Sequence, residues 1–200
     1  MFIDTHTHYY DEWFGEDGAA AVQRALDAGM EMMLQADVDS RERDRMFELA
    51  EQFPVVLRQM LGLYPGSVRE DWREEIDAWV SRLNESIVAI GEIGLDYHEG
   101  TEFKEQQKEA LRVQLEIAAE HNLPVDIHLR DAWDDLFRIL EDCRHLQEFP
   151  PCRNRGTDSP RTHSPRDRLP LPGAGPPSRR TQRKCVPAVY RRENCPEQKH

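Results

Sequence analysis

The 200-residue sequence predicts an α/β fold built on a parallel β-sheet. In its first 149 residues, a short apolar segment followed by a segment with apolar residues at helical spacing occurs five times in succession. Polar residues gather where the apolar segments end, which is typical of the carboxyl edge of such a sheet. This periodicity fits an open doubly wound sheet as well as a barrel, because a closed barrel needs eight units and roughly 250 residues.

Five predicted strands alternate with five predicted helices along the chain. The strands are apolar runs at residues 2–4, 32–36, 55–63, 86–91 and 123–128. The helices, with their caps, cover residues 18–30, 39–52, 70–83, 103–121 and 132–143. Gly29 lies near the end of the first helix, and Asp39 and Ser40 provide caps for the second. Parallel strands require crossover connections, and these helices supply them.

The composition argues against several classes of protein. The chain has 26 Lys and Arg against 38 Asp and Glu, a net charge of -12, which disfavours binding nucleic acid mainly through a basic surface. No apolar run approaches the roughly 18 residues of a transmembrane helix, and the first residues lack the pattern of a secretory signal. Four cysteines in a chain of this length do not make a disulfide scaffold, so we expect a cytoplasmic protein.

A change in composition divides the chain near residue 149. The last 50 residues contain 12 of the basic residues but only 4 acidic ones, 9 of the 13 prolines, and no Phe, Ile, Met or Trp. A segment this poor in large apolar side chains cannot bury enough surface to offset its ordering entropy. The sequence therefore predicts a folded domain over residues 1–149 and a basic, Pro-rich, disordered tail over residues 150–200.

The first candidate site is the His-x-His pair His6 and His8, which follows the first predicted strand. Side chains alternate along a strand, so both imidazoles would face one way and could hold one metal ion. Asp4 lies on the same face of the strand and could orient one of the rings. The alternative is that both histidines are surface residues of a loop.

Two more candidates follow later strands. Glu92 comes directly after an apolar strand and is flanked by glycines, and His128 ends the fifth strand. Each has a structural alternative: Glu92 as a helix-capping acid and His128 as a hydrogen-bonded histidine. Taken with the His-x-His pair, they form the mixed nitrogen and oxygen set that suits Zn²⁺ or Mn²⁺, or Mg²⁺ with waters. A carboxylate shared by two ions could clamp a phosphodiester and activate water.

Four stretches of the sequence together resemble one known family. They are MFIDTHTH, LGLYPGSV, VAIGEIGLDYH and EQQKEALRVQLEIAAEHNLPVDIHLRDAWDD. In this order they resemble the TatD family of metal-dependent deoxyribonucleases, which are amidohydrolase-like TIM barrels. The resemblance covers roughly residues 1–145. It implies a (β/α)8 TIM-barrel type of fold of which about five βα units are present.

The resemblance also implies roles for individual residues. His6 and His8 resemble ligands of the first metal ion, Glu92 resembles the carboxylate that bridges to the second, and His128 resembles a ligand of the second. Glu92 and His128 are therefore the candidate catalytic residues, with two divalent ions (Mg, Mn or Zn) as cofactors. Tyr64, which stands where the family often has His, and Arg130 are candidate substrate contacts.

The implied activity is metal-dependent hydrolysis of phosphodiester bonds in DNA by a water activated between two metal ions. DNA would be the substrate, and we expect a monomer without a membrane partner. Two alternatives stay open. One is a metal-dependent hydrolase of another ester or amide, and the other is a truncated fragment without catalytic activity.

The tail does not continue the family pattern. The pattern requires a sixth strand ending in a ligand His and a late strand ending in an Asp that acts as proton acceptor. Thr157 to Pro160 spell the late motif TDSP, but no apolar strand precedes them. If the codons that can encode the tail are read in a frame that starts at the second base of each codon, they allow the words ETDSPYLAPVPHRG and RNE. These words form the family's late motif. We hypothesise that the tail is an out-of-frame translation after a deletion near residue 150, which resequencing the DNA would test.

Overall fold

The computed structural model describes residues 2–98, 100–147 and 188–190, all within one compact unit. The strands are β1 (Phe2–Thr7), β2 (Met30–Gln35), β3 (Leu57–Leu61), β4 (Ile87–Asp96), β5 (Val125–Arg130) and β6 (Ala188–Tyr190). The α-helices are α1 (Gly18–Asp27), α2 (Ser40–Gln52), α3 (Trp72–Val80), α4 (Lys104–Glu120) and α5 (Trp133–Asp142). Short 3₁₀ segments cover Glu12–Asp17, Pro65–Ser67 and Cys143–Gln147. No helix among these residues is long and apolar enough to cross a membrane.

The strands form one parallel sheet, and their order across the sheet is the order of the chain. The prediction of a parallel α/β fold with five βα units is therefore confirmed. A doubly wound sheet reverses its strand order at a switch point, whereas a barrel adds each strand beside the previous one. The sequential order from β1 to β5 thus resolves the choice that periodicity left open and favours the barrel type.

The main hydrophobic core lies between the helices and the sheet. Trp79 of α3, Leu111 of α4 and Ile139 of α5 are almost fully buried there. From the strands, Ile90 and Ile93 contribute to the same core. A smaller cluster of Ala36, Met60 and Ala89 is separate from this core. Because Met60 directly precedes Leu61, a core residue of β3, alternation places Met60 on the sheet face opposite the helices.

Strand boundaries are the main error of the sequence prediction. β1 continues to Thr7 and so includes His6, while β3 is shorter at both ends than predicted. β4 was expected to end at Gly91 but runs on through Glu92 to Asp96. The glycines on either side of Glu92 lie inside this strand, where Gly94 pairs with His128 of β5. The glycines mark a close approach of two strands rather than the end of one.

The predicted tail over residues 150–200 lies outside the described residues, apart from β6. In β6, Val189 pairs with Asp126 of β5 in parallel register. Disorder of the tail and its out-of-frame origin both stay predictions, as does the domain boundary near residue 149.

Candidate metal centre

The candidate centre is built from side chains of β1, β4 and β5 and of the residue that follows β1. His6 lies in β1 and His8 immediately after it, and alternation puts both imidazoles on one side. Their Nε2 atoms are 2.9 Å apart. From β4, Oε2 of Glu92 lies 3.4 Å from Nε2 of His6 and 3.6 Å from Nε2 of His8. The structure thus brings together three donor atoms that the sequence singled out.

The two distances from Glu92 match the spacing of atoms that share a metal ion, whereas the 2.9 Å between the two Nε2 atoms is shorter. Donors bound tetrahedrally at about 2.0–2.2 Å from an ion are about 3.3–3.6 Å apart. His6, His8 and Glu92 form a group of potential ligands whose donor atoms all lie within 4.8 Å of one another. Two imidazoles and one carboxylate suit Zn²⁺ or Mn²⁺. The donor set therefore fits the divalent ion that the sequence suggested.

His128 lies on the other side of the Glu92 carboxylate. Its Nδ1 is 3.0 Å from Oε1 of Glu92, and its Nε2 is 2.9 Å from Oδ2 of Asp96. The two oxygens of Glu92 are therefore divided, with Oε2 facing the His-x-His pair and Oε1 facing His128. With its two oxygens facing different sides, this carboxylate has the geometry to bind at two neighbouring ion positions. Glu92, Asp96 and His128 are all buried.

Asp126 orients the His6 ring, and the sequence prediction missed it. Its Oδ2 accepts a hydrogen bond from Nδ1 of His6 at 2.6 Å. Asp4, which was expected to orient a ring, instead accepts the backbone N–H of His6 at 3.2 Å. That expectation was wrong because the carboxylate that orients the ring comes from β5, which does not pair with β1, and side-chain alternation within β1 says nothing of such a strand. One signal in the sequence could have identified Asp126: its carboxylate stands between the apolar residues Val125 and Ile127 of a strand, and a buried acid needs a partner.

The electrostatics of the metal-free centre follow from these contacts. Burial lowers the pKa of His6, but hydrogen bonds and charges of Asp126 and Glu92 outweigh it and raise that pKa to about 10. Burial also lowers the pKa of His128, but the hydrogen bonds and charges of Glu92 and Asp96 outweigh it, so that this pKa is raised. Burial raises the pKa of Glu92, yet hydrogen bonds from the three histidines hold it well below its usual value. These contacts favour the ionised form of the Glu92 carboxylate and the protonated form of His6.

A buried ion pair supports the backbone at Glu92. Asp37, the second residue after β2, accepts the Glu92 N–H through its carbonyl and donates its own N–H to the carbonyl of Gly91, each at 3.1 Å. Its carboxylate accepts hydrogen bonds from Nε of Arg43 at 2.7 Å and from the Gly62 backbone at 3.3 Å. Burial raises the pKa of Asp37 to about 7, with Arg43 opposing the shift. The loop after β2 and strand β4 are thereby held together next to the candidate ligands.

Comparison with known proteins identifies the family. A family model described as TatD related DNase matches residues 3–151 of this chain. The chain belongs to the TatD family. Its TatD relatives include a protein named as the uncharacterized metal-dependent hydrolase YabD of Bacillus subtilis, 36% identical over 144 residues. Another, named as the 3'-5' ssDNA/RNA exonuclease TatD of Erwinia billingiae, is 38% identical over 129 residues.

Solved TatD structures confirm the expected barrel type. The TatD homologue YjjV of Escherichia coli matches with a TM-score of 0.61 and 31% identity, covering 72% of this chain and 56% of that one. A TatD family hydrolase of Entamoeba histolytica gives the same TM-score at 25% identity, covering 72% of this chain and 55% of that one. The match with YabD covers 71% of this chain and 56% of YabD. The match with the Erwinia billingiae protein covers 64% of this chain and 49% of that protein. This chain thus spans about half the length of the TatD relatives it matches.

The two candidate substrate residues of this TatD chain differ in their contacts. The Tyr64 hydroxyl donates to Oδ2 of Asp96 at 3.4 Å, and its ring meets the His128 ring edge-on at 5.0 Å between centroids. Arg130 lies two residues after His128 in β5, so its side chain projects to the same face. Within the described part of the chain, the structure shows no hydrogen bond between the Arg130 guanidinium and the four candidate ligands. Tyr64 therefore belongs to the centre geometrically, and Arg130 lies beside it.

We expect Gly94→Ala to lower the free energy of unfolding by at least about 2 kcal/mol. Gly94 has φ +151°, and an added Cβ would lie 1.9 Å from the His128 carbonyl oxygen. Urea unfolding measures the loss. Gly100→Ala is the matched control, because Gly100 has the same φ with no atom within 4 Å. Equal losses in the two variants would show that the contact with β5 is not what requires glycine at position 94.

Proposed function

We propose that this chain carries the metal-binding part of a TatD-type hydrolase that cleaves phosphodiester bonds in DNA. His6, His8 and Glu92 would hold one divalent ion, and Glu92 and His128 would contribute to a second. The observation that carries the proposal is the position of Glu92, whose carboxylate lies within 3.0–3.6 Å of all three imidazoles. The names of several relatives, which specify a 3'-5' ssDNA/RNA exonuclease, support a single-stranded nucleic acid as the substrate.

Bound divalent ions would supply activation of water and compensation of the charge on a scissile phosphate. The protein residues would hold these ions and the surrounding charges in place. Glu92 and His128 would lie next to the reacting atoms. His8 would be on the accessible side, because its side chain is 27% exposed against 11% for His6 and 5% for His128. Tyr64 and Arg130 would contact the substrate.

The charge of the chain is compatible with a nucleic-acid substrate under this proposal. A net charge of -12 repels phosphates at long range. Ions held by Glu92 and the histidines would attract a phosphate at short range without a basic surface. We therefore expect activity on single strands to depend strictly on added Mg²⁺ or Mn²⁺. A monomer acting in the cytoplasm is part of the same proposal.

A cleavage assay on end-labelled single-stranded DNA with Mg²⁺ or Mn²⁺ tests the function. We expect His6→Ala to lower cleavage by more than about 100-fold, since losing even an outer contact to a ligand costs about 10–100-fold. His121→Ala, which removes an exposed histidine at the end of α4, is the control and should retain wild-type activity. Equal background rates for wild type and His6→Ala would contradict the proposal and favour a fragment without catalysis. Cleavage of a carboxylic ester but not of DNA would favour the other hydrolase class.

A further inference from the structure

Tyr10 contacts the candidate centre from behind His8. It follows His8 by two residues and is 3% exposed. Its hydroxyl oxygen lies 2.5 Å from the carbonyl oxygen of Ala36 and 3.2 Å from Nδ1 of His8. The two rings meet at 60° with their centroids 5.8 Å apart. The loop after β1 is thereby tied to the end of β2 through a buried phenol that also contacts an imidazole.

The number of protons available determines the direction of each hydrogen bond. A phenol has one proton to donate, and a carbonyl oxygen can only accept. The Tyr10 hydroxyl must therefore give its proton to Ala36, and its oxygen is left to accept from His8. Nδ1 of His8 then carries a proton, and its lone pair for an ion is on Nε2. This is the nitrogen that faces His6 and Glu92.

We propose that Tyr10 is a positioning residue that fixes the orientation and the Nδ1–H tautomer of His8, so that Nε2 is presented as a metal ligand. This rests on the proposed function, because it assigns His8 to a divalent ion. A partner on the far nitrogen of a ligand imidazole sets both the tautomer and the angle of the ring. Tyr10 acts only through His8 and does not touch the ion or the substrate.

The same arrangement recurs at the other two histidines, with a chemical difference. Asp126 contacts the far nitrogen of His6 and Asp96 that of His128, so both of these partners are carboxylates. Tyr10 gives His8 a partner that can be uncharged. A third outer carboxylate would place more negative charge beside Glu92 in a buried site, at a cost in desolvation. A phenol orients the most exposed of the three imidazoles without that charge.

The tautomer can be measured in the wild-type full chain without metal. Long-range ¹H–¹⁵N NMR spectra distinguish a protonated Nδ1 from a protonated Nε2 in each histidine. We expect His8 to show a protonated Nδ1 and an unprotonated Nε2. A His8 protonated on Nε2 alone would overturn the proposal. Because no substitution is involved, this test stands even if a variant fails to fold.

Metal titration of a variant provides the second test. Tyr10→Phe removes the acceptor oxygen but keeps the ring, and Tyr9→Phe makes the same change at the neighbouring residue, which packs against Phe14. We expect Tyr10→Phe to weaken Co²⁺ binding by about 10–100-fold and to alter the visible spectrum of the bound ion. Tyr9→Phe should bind within about twofold of wild type. Co²⁺ binding and a spectrum unchanged in Tyr10→Phe would overturn the proposal.

These outcomes are independent of nuclease activity. If wild type binds Co²⁺ and shows the expected tautomer but cleaves no DNA, the role of Tyr10 holds and the proposed function fails. If DNA is cleaved while Tyr10→Phe behaves as wild type, the proposed function holds and the role of Tyr10 fails.

Discussion

We expect Glu92→Gln to reduce divalent-metal binding by more than about 100-fold while leaving the fold intact. The amide preserves the size of the side chain but removes the charge that faces His6, His8 and His128 at 3.0–3.6 Å. Losing an outer contact to a metal ligand costs about 10–100-fold. Removing the charge of a carboxylate that contacts all three imidazoles should cost more. Isothermal titration with Mn²⁺ measures the affinity of each protein.

Thermal unfolding gives an independent measurement of the same effect. A ligand present at 100 times its Kd stabilises the native state by about 2.7 kcal/mol. Wild type should therefore melt at a higher temperature with Mn²⁺ than without it, and Glu92→Gln should not. Glu51→Gln, on the exposed surface of α2, is the control and should respond as wild type does. Stabilisation of Glu92→Gln equal to that of wild type would contradict a central role for this carboxylate.

The order of βα units could be predicted from the sequence because each unit carries its own local signal. Apolar runs and helical periodicity depend on neighbours within the same element. The end of β4 could not be predicted in this way. Gly91 and Gly94 have the composition of a turn, yet they allow the β4 backbone to approach Asp126 and His128 of β5. That requirement comes from another strand and has no local signal.

The candidate ligands could be predicted for a similar reason, and their partners could not. His6, His8, Glu92 and His128 stand near the ends of the predicted strands, where alternation and parallel pairing predict convergence. Asp96 and Tyr10 are held in place by contacts across the sheet with His128 and with Ala36. Such contacts depend on how the strands pair, and an apolar run carries no local signal for that pairing.

We expect metal affinity to rise with pH by at least about tenfold per unit below pH 10, because one proton must leave His6 when an ion binds. The pKa of His6 in the metal-free protein is raised to about 10, above the 6.5 of an unperturbed histidine. The stabilisation that this proton gives the metal-free fold is complete below pH 6.5 and is lost as the pH rises through about 10. From pH 6.5 to 8.0, Co²⁺ affinity should therefore increase by at least about 30-fold.

Calorimetry in two buffers with different heats of ionisation measures the proton release directly. At pH 7 we expect at least one proton to be released per ion, since His128 also has a raised pKa. Asp126→Asn removes a charge that contributes to the raised pKa of His6, so affinity should depend less steeply on pH in this variant. Asp77→Asn, on the exposed face of α3, should keep the wild-type dependence. Affinity independent of pH in wild type would mean that the ion does not displace the His6 proton, and His6 would then not be a ligand.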